Sequence, residues 1–132
     1  MFEISHELPP KEIYDRAVEM FGADFNRGTT FTVGNIIYCK GNISPDLLEH
    51  EKVHIKQQGS NWKEWWEKYF TNEKFRLDQE LEAYKTQYRW IKTNIKDRNL
   101  QSKYLMFFSS CLSGKMYGNI LSMTDAIKFI KN

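Results

Sequence analysis

The chain has 132 residues, 41% of them hydrophobic, 15% aromatic and 27% charged, with a net charge of +2. A chain of this length takes roughly two-thirds of its unfolded surface inside on folding, so one domain over residues 1–132 with its own core is expected. The composition excludes a disordered chain, the small net charge excludes nucleic acid as the default partner, and no apolar run approaches the roughly 20 residues that span a bilayer.

The N-terminal stretch MFEISHELPPKE carries acids where a signal peptide needs bases and an apolar core, so a cytoplasmic protein is expected. The two cysteines, Cys39 and Cys111, are too few for a disulfide framework. Pro9 and Pro10 open a first helix over 11–21, with Ile13, Ala17, Met20 and Phe21 at helical spacing and Gly22 as its stop. Residues 29–40 read as a β-hairpin: TTFTV is rich in β-formers, Gly34-Asn35 makes the turn, and IIYC returns. Ser44, Pro45 and Asp46 then give an N-cap, a first helical position and a first-turn acid for a helix over 45–58, ended by Gly59.

Further helices are expected over 62–70, 73–96 and 102–112, and a last one capped near Ser122 or Thr124. The helix over 73–96 carries an apolar stripe of Leu77, Leu81, Tyr84, Tyr88, Ile91 and Ile95. Many helices with one small hairpin make an α+β pattern. Trp62, Trp65, Trp66 and Tyr69 share one helix side and belong to the core, with a pocket wall or a membrane face as the alternatives.

Residues 50–54 read His-Glu-Lys-Val-His, an H-E-x-x-H motif inside the best-capped helix. Histidines four apart stand one above the other on a helix face, so two imidazoles reach one metal ion. The intervening Glu51 is placed to take a proton from water at that metal. Random placement of the same residues gives on the order of 0.005 such matches, so chance is a poor explanation. A catalytic zinc takes three protein ligands and keeps a fourth position open. The extended motif with a third histidine fails, because Gln57 and Ser60 stand at its Gly and His positions.

His6 is the only other histidine, and it is far away at the N-terminus. A carboxylate from the long helix fits better. Measured from the apolar stripe, Glu80 falls about 60° away, at the edge of the buried face. Glu82 falls about 140° away, toward solvent, and Glu73 lies at the frayed start. Glu80 is therefore the expected third ligand. Cys39 is a further candidate if the hairpin brings it close. Gln58 faces the same side of its helix as Glu51. Gly114-Lys115 lacks the remaining residues of a phosphate loop, and the basic stretch of Lys92, Lys96, Arg98 and Lys103 reads as solvated surface.

HEKVH followed by Glu80-Leu81-Glu82-Ala83-Tyr84 resembles the gluzincin branch of zinc metallopeptidases, and above all the minigluzincins and similar small peptidases of bacterial and phage genomes. The match covers residues 29 to 90, and it departs from the family at Tyr84, where Asp or Asn is common. The resemblance implies a minimal zincin-like domain, with a small sheet beside the H-E-x-x-H helix and a later glutamate-bearing helix. It implies Zn²⁺ held by His50, His54 and Glu80, with Glu51 as general base in peptide-bond hydrolysis of a peptide or protein substrate. It further implies an oxyanion donor, for which Tyr117 and Tyr38 are the candidates, and a hairpin edge over 36–39 that takes the substrate as an added strand. Two other readings remain at this point: a zincin-like binding protein whose metal is structural or absent, and a helical interaction protein with an accidental motif.

Overall fold

A computed structural model of the chain describes residues 1–22 and 29–132. The described elements are β1 (Glu3–Ser5), α1 (Lys11–Phe21), β2 (Phe31–Val33), β3 (Ile36–Tyr38), α2 (Pro45–Gln58), α3 (Trp62–Thr71), α4 (Glu73–Asn94), α5 (Arg98–Leu112), a 3₁₀ turn (Lys115–Tyr117) and α6 (Met123–Lys131). This is a helix-rich α+β arrangement with one three-stranded sheet. No described helix is long and apolar enough to cross a membrane.

The local chemistry sets the boundaries. Ser44 occupies the cap position of α2 but its side chain makes no cap hydrogen bond, so Pro45 at the first helical position marks the start. Asn72 begins α4 by accepting from the Phe75 amide at 2.9 Å. The long helix ends at Asn94 rather than at residue 96, because Ile95 turns extended. Asp97 then caps α5 by accepting from the Asn99 and Leu100 amides, which starts that helix at Arg98, four residues before the predicted point. Ser122, not Thr124, caps α6.

The sheet differs from the expected hairpin in one consequential way. β1 pairs parallel with β3, and β2 pairs antiparallel with it, giving the order β1-β3-β2. β3 is therefore bonded on both sides and has no edge. The expectation that residues 36–39 receive a substrate strand is overturned, since their backbone groups are already taken by Glu3–Ser5 and Phe31–Val33. Among the described residues, the edge that faces the helices is that of β2.

Two apolar clusters form the interior. Ile13, Ala17, Phe31, Trp66 and Phe70 join α1, β2 and α3. Leu77, Ile91, Phe108, Leu112 and Ile130 join α4, α5 and α6. Between them α2 lies along α4, where Ala83 is fully buried. That packing brings the motif helix and the glutamate-bearing helix together.

Candidate metal centre

His50 and His54 lie one turn apart on α2, and Glu80 faces them from α4. All three are less than a tenth exposed. Their nearest atoms form a small triangle. His50 Nε2 is 3.0 Å from Glu80 Oε1, His54 Nε2 is 3.1 Å from the same oxygen, and the two Nε2 atoms are 3.2 Å apart. Zinc bonds of about 2.0–2.1 Å in tetrahedral geometry set ligand atoms about 3.3 Å apart. The triangle thus has the dimensions of three corners of such a site, and the group could hold a metal ion.

The surrounding hydrogen bonds fix the protons. Gln87 donates its Nε2 to Asp46 Oδ2 at 2.8 Å, which turns its Oε1 toward His50 Nδ1 at 2.9 Å. Gln57 donates its Nε2 to the Gln79 carbonyl and to Glu82, which turns its Oε1 toward His54 Nδ1 at 2.8 Å. Both histidines therefore carry hydrogen on Nδ1 and turn their Nε2 atoms inward. Two bare nitrogens and a carboxylate oxygen within 3.2 Å would repel one another, so the triangle calls for a proton or a cation among them.

Electrostatics give the same answer in metal-free form. Burial works against a charged His54, but the Glu80 carboxylate, its hydrogen bond, Glu51 and Gln57 outweigh it and raise the imidazole to about 9. Burial likewise works against the Glu80 anion, yet His54 and His50 hold its carboxyl well below the usual carboxylate range. The second oxygen of Glu80 accepts from the Tyr69 hydroxyl at 2.6 Å, which leaves Oε1 alone facing the histidines.

Glu51 sits beside this triangle without joining it. Its Oε1 accepts from Thr32 Oγ1 at 2.7 Å, and its Oε2 is 3.8 Å from His50 Nε2. Thr32 comes from β2 and is 2% exposed, so the sheet orients this carboxylate. A cavity of about 520 Å³ opens over the site, in the size range of small-ligand clefts. Tyr117 lies in the 3₁₀ turn, buried, on the wall of that cavity. Burial, reinforced by the Glu80 charge, pushes its hydroxyl well above the ordinary tyrosine value, so it stays a donor. Arg76 donates to the Tyr69, Phe70 and Met116 carbonyls and ties the end of α3 and the 3₁₀ turn to α4.

Other expected residues lie elsewhere. Tyr38 packs with the α1–β2–α3 cluster and does not line the cavity. Cys39 is buried with its thiol on the Gly41 carbonyl, and His6 Nδ1 donates to the Cys39 carbonyl at 3.0 Å. Neither belongs to the His-His-Glu group. Cys111 does line the cavity, but burial raises its thiol and it too stands outside the group. Gln58 touches the β2 edge rather than the triangle, accepting from the Gly34 amide and donating to the Thr32 carbonyl.

Two neighbours of the triangle, Gln87 and Gln57, were not placed at the site from the sequence, and Tyr69 was read there only as a member of the α3 aromatic cluster. Gln87 is two turns beyond Glu80 on α4, so a polar residue on the buried face, seven positions from a ligand, is the signal that marks it. Tyr84 packs edge-on against His50 at 4.6 Å between ring centres. No family model matches the chain, and comparison with curated proteins and with solved structures gives no match.

Proposed function

We propose that this chain is a zinc-dependent metallopeptidase of the gluzincin type with a zincin-like fold. The observation that carries the reading is the convergence of the two Nε2 atoms and one carboxylate oxygen beside Oε2 of Glu51. His50, His54 and Glu80 would hold the ion. A bound zinc supplies Lewis-acid chemistry, acidifying water and polarising a carbonyl.

The protein groups have distinct tasks. Glu51 receives the proton of the attacking water on Oε2 and passes it to the departing amine, while Thr32 keeps Oε1 fixed. Tyr117, held in its protonated form, donates toward the oxygen that becomes negative when the carbonyl is attacked. Trp65, Trp66 and Phe31 exclude water from the cavity floor. Among the described residues no fourth His, Cys, Asp or Glu joins the group, which favours a site open to substrate over a closed structural one.

The test is metal content and hydrolysis measured together. About one zinc per chain is expected in wild type, lost in His54→Ala and Glu80→Ala. Glu51→Gln is expected to keep the zinc and lose hydrolysis by roughly 10²–10⁴-fold. A protein that takes up no zinc when it is offered would end this reading in favour of a binding protein.

A further inference from the structure

The cleft beside the candidate metal centre is closed at one end by two indoles. Trp66 Nε1 donates to the Thr32 carbonyl on β2 at 3.0 Å. Trp65 Nε1 donates to Gln79 Oε1 on α4 at 2.8 Å. The two rings meet edge-on with centres 5.1 Å apart, and each residue is 6% exposed. The pair thus forms a continuous partition from the sheet to α4, stitched at both ends.

This partition stands at the metal site itself, since the Trp65 ring centre is 5.4 Å from that of His54. Gln58 backs it. Its amide donates to the Thr32 carbonyl and accepts from the Gly34 amide, both at 2.7 Å, as a neighbouring strand would. The edge of β2 is therefore occupied from Thr32 onward. A second depression opens behind the partition, and Trp65 is the one residue the two spaces share. Before Thr32 on the same strand side the cavity is lined by half-buried Thr29 and Thr30, and elsewhere by exposed Ser110 and Lys115.

We infer that this site is an exopeptidase site: a peptide enters by one end and stops at the Trp65–Trp66 partition. The inference rests on the metallopeptidase reading above and adds its substrate class. A chain crossing the centre in an endopeptidase has to continue on both sides of the reacting bond. In this reading the chain runs along Thr29 and Thr30, and the Trp65–Trp66 partition limits the other side to a terminal residue or two.

The experiment maps the products made by the zinc-loaded wild-type protein from a pool of random linear peptides about twelve residues long. Cleavage within two residues of one terminus is the expected result, and the map shows which terminus enters. Cleavage spread through peptide interiors would overturn the inference and leave the peptidase reading standing. Trp65→Ala, which opens the partition to the space behind, is expected to move cleavage inward.

If the pool is not cut at all, the peptidase reading fails, and binding decides the blind cleft separately. Indole fluorescence of zinc-loaded Glu51→Gln protein should report at least tenfold tighter binding of the linear pool than of the same pool closed head to tail. Equal binding, or none, would overturn the one-ended cleft as well.

Discussion

Nε2 of His54 faces Nε2 of His50 across 3.2 Å, with one oxygen of Glu80 closing the triangle. Gln57 and Gln87 hold the Nδ1 protons, so the triangle consists of acceptors alone. A single proton relieves it in the metal-free chain, and the raised His54 is that proton's address. A metal ion bound there would compete with that proton for the same few cubic ångströms.

The competition fixes opposite pH dependences for the two forms. His54 titrates near 6.5 when unfolded and at about 9 when folded. Its contribution to metal-free stability is complete below 6.5 and disappears as pH rises through 9, a loss of about 3 kcal/mol. Glu80 is depressed, so its contribution is present above its unfolded value of 4.5 and disappears as pH falls through the folded one. Zinc needs the bare nitrogen, so its apparent affinity should rise about tenfold per pH unit up to about 9. Urea titrations of chelator-treated protein between pH 6 and 9, beside zinc-binding titrations, check both slopes. Metal-free stability that climbed with pH over this range would refute the shared-proton account.

Gln87 connects His50 to buried Asp46, at 2.9 and 2.8 Å. Gln87→Met keeps the volume and removes both bonds. Zinc affinity should drop roughly 10–100-fold, because the His50 ring loses what orients it. Stability should drop by about 1–3 kcal/mol, because Asp46 loses its partner. Competition against a zinc-sensitive dye reads the first effect. An unchanged affinity would mean that α2 alone orients His50.

How much of this was legible in the sequence follows from what kind of signal each part carries. The i, i+4 histidines and Glu51 announce themselves, because helix geometry ties their spacing to one face. Glu80 was reachable from the position of the α4 apolar stripe. β1 was not: Glu3-Ile4-Ser5 is half-exposed and three residues long, and it exists as a strand only because β3 is beside it. Missing it turned β3 from a central strand into an apparent edge. Gln57 and Gln87 were hidden for another reason, since glutamine is common on solvated helix faces and only the tertiary packing of α2 against α4 sets them against the site. The aromatic run of α3 was rightly assigned to the core, yet Trp65 and Trp66 also wall the cavity, a double use that helical spacing does not show.

Gly118 places Tyr117 at the cavity. Its φ of +77° lies in the left-handed region, and a Cβ there would come 3.0 Å from the Glu73 carboxyl carbon. Gly118→Ala should cost about 1–2 kcal/mol, through backbone strain and the displaced Glu73 side chain. Because Arg76 holds the Met116 carbonyl from the other side, the strain falls on the turn that carries Tyr117. Zinc affinity should stay unchanged while kcat falls. Stability equal to wild type in a urea titration would show that the turn tolerates a side chain there.

Thr32 serves two masters. Its hydroxyl holds Glu51, and its carbonyl receives Gln58 and Trp66. Only the hydroxyl depends on the side chain, so Thr32→Val separates the two while leaving the β-branched shape in the sheet. Glu51 then loses a 2.7 Å hydrogen bond and gains rotational freedom, at the place where the proposed reaction has it accept the water proton. A bond of this kind contributes about 1–1.5 kcal/mol, which is close to tenfold in rate. The expectation is a kcat about tenfold lower, with KM and zinc content unchanged, because neither the cavity edge nor the ligand set is altered. Thr32→Ser restores the hydroxyl and should restore most of the rate. If serine failed to rescue while zinc stayed bound, the loss would belong to sheet packing, and Thr32 would have no part in positioning Glu51.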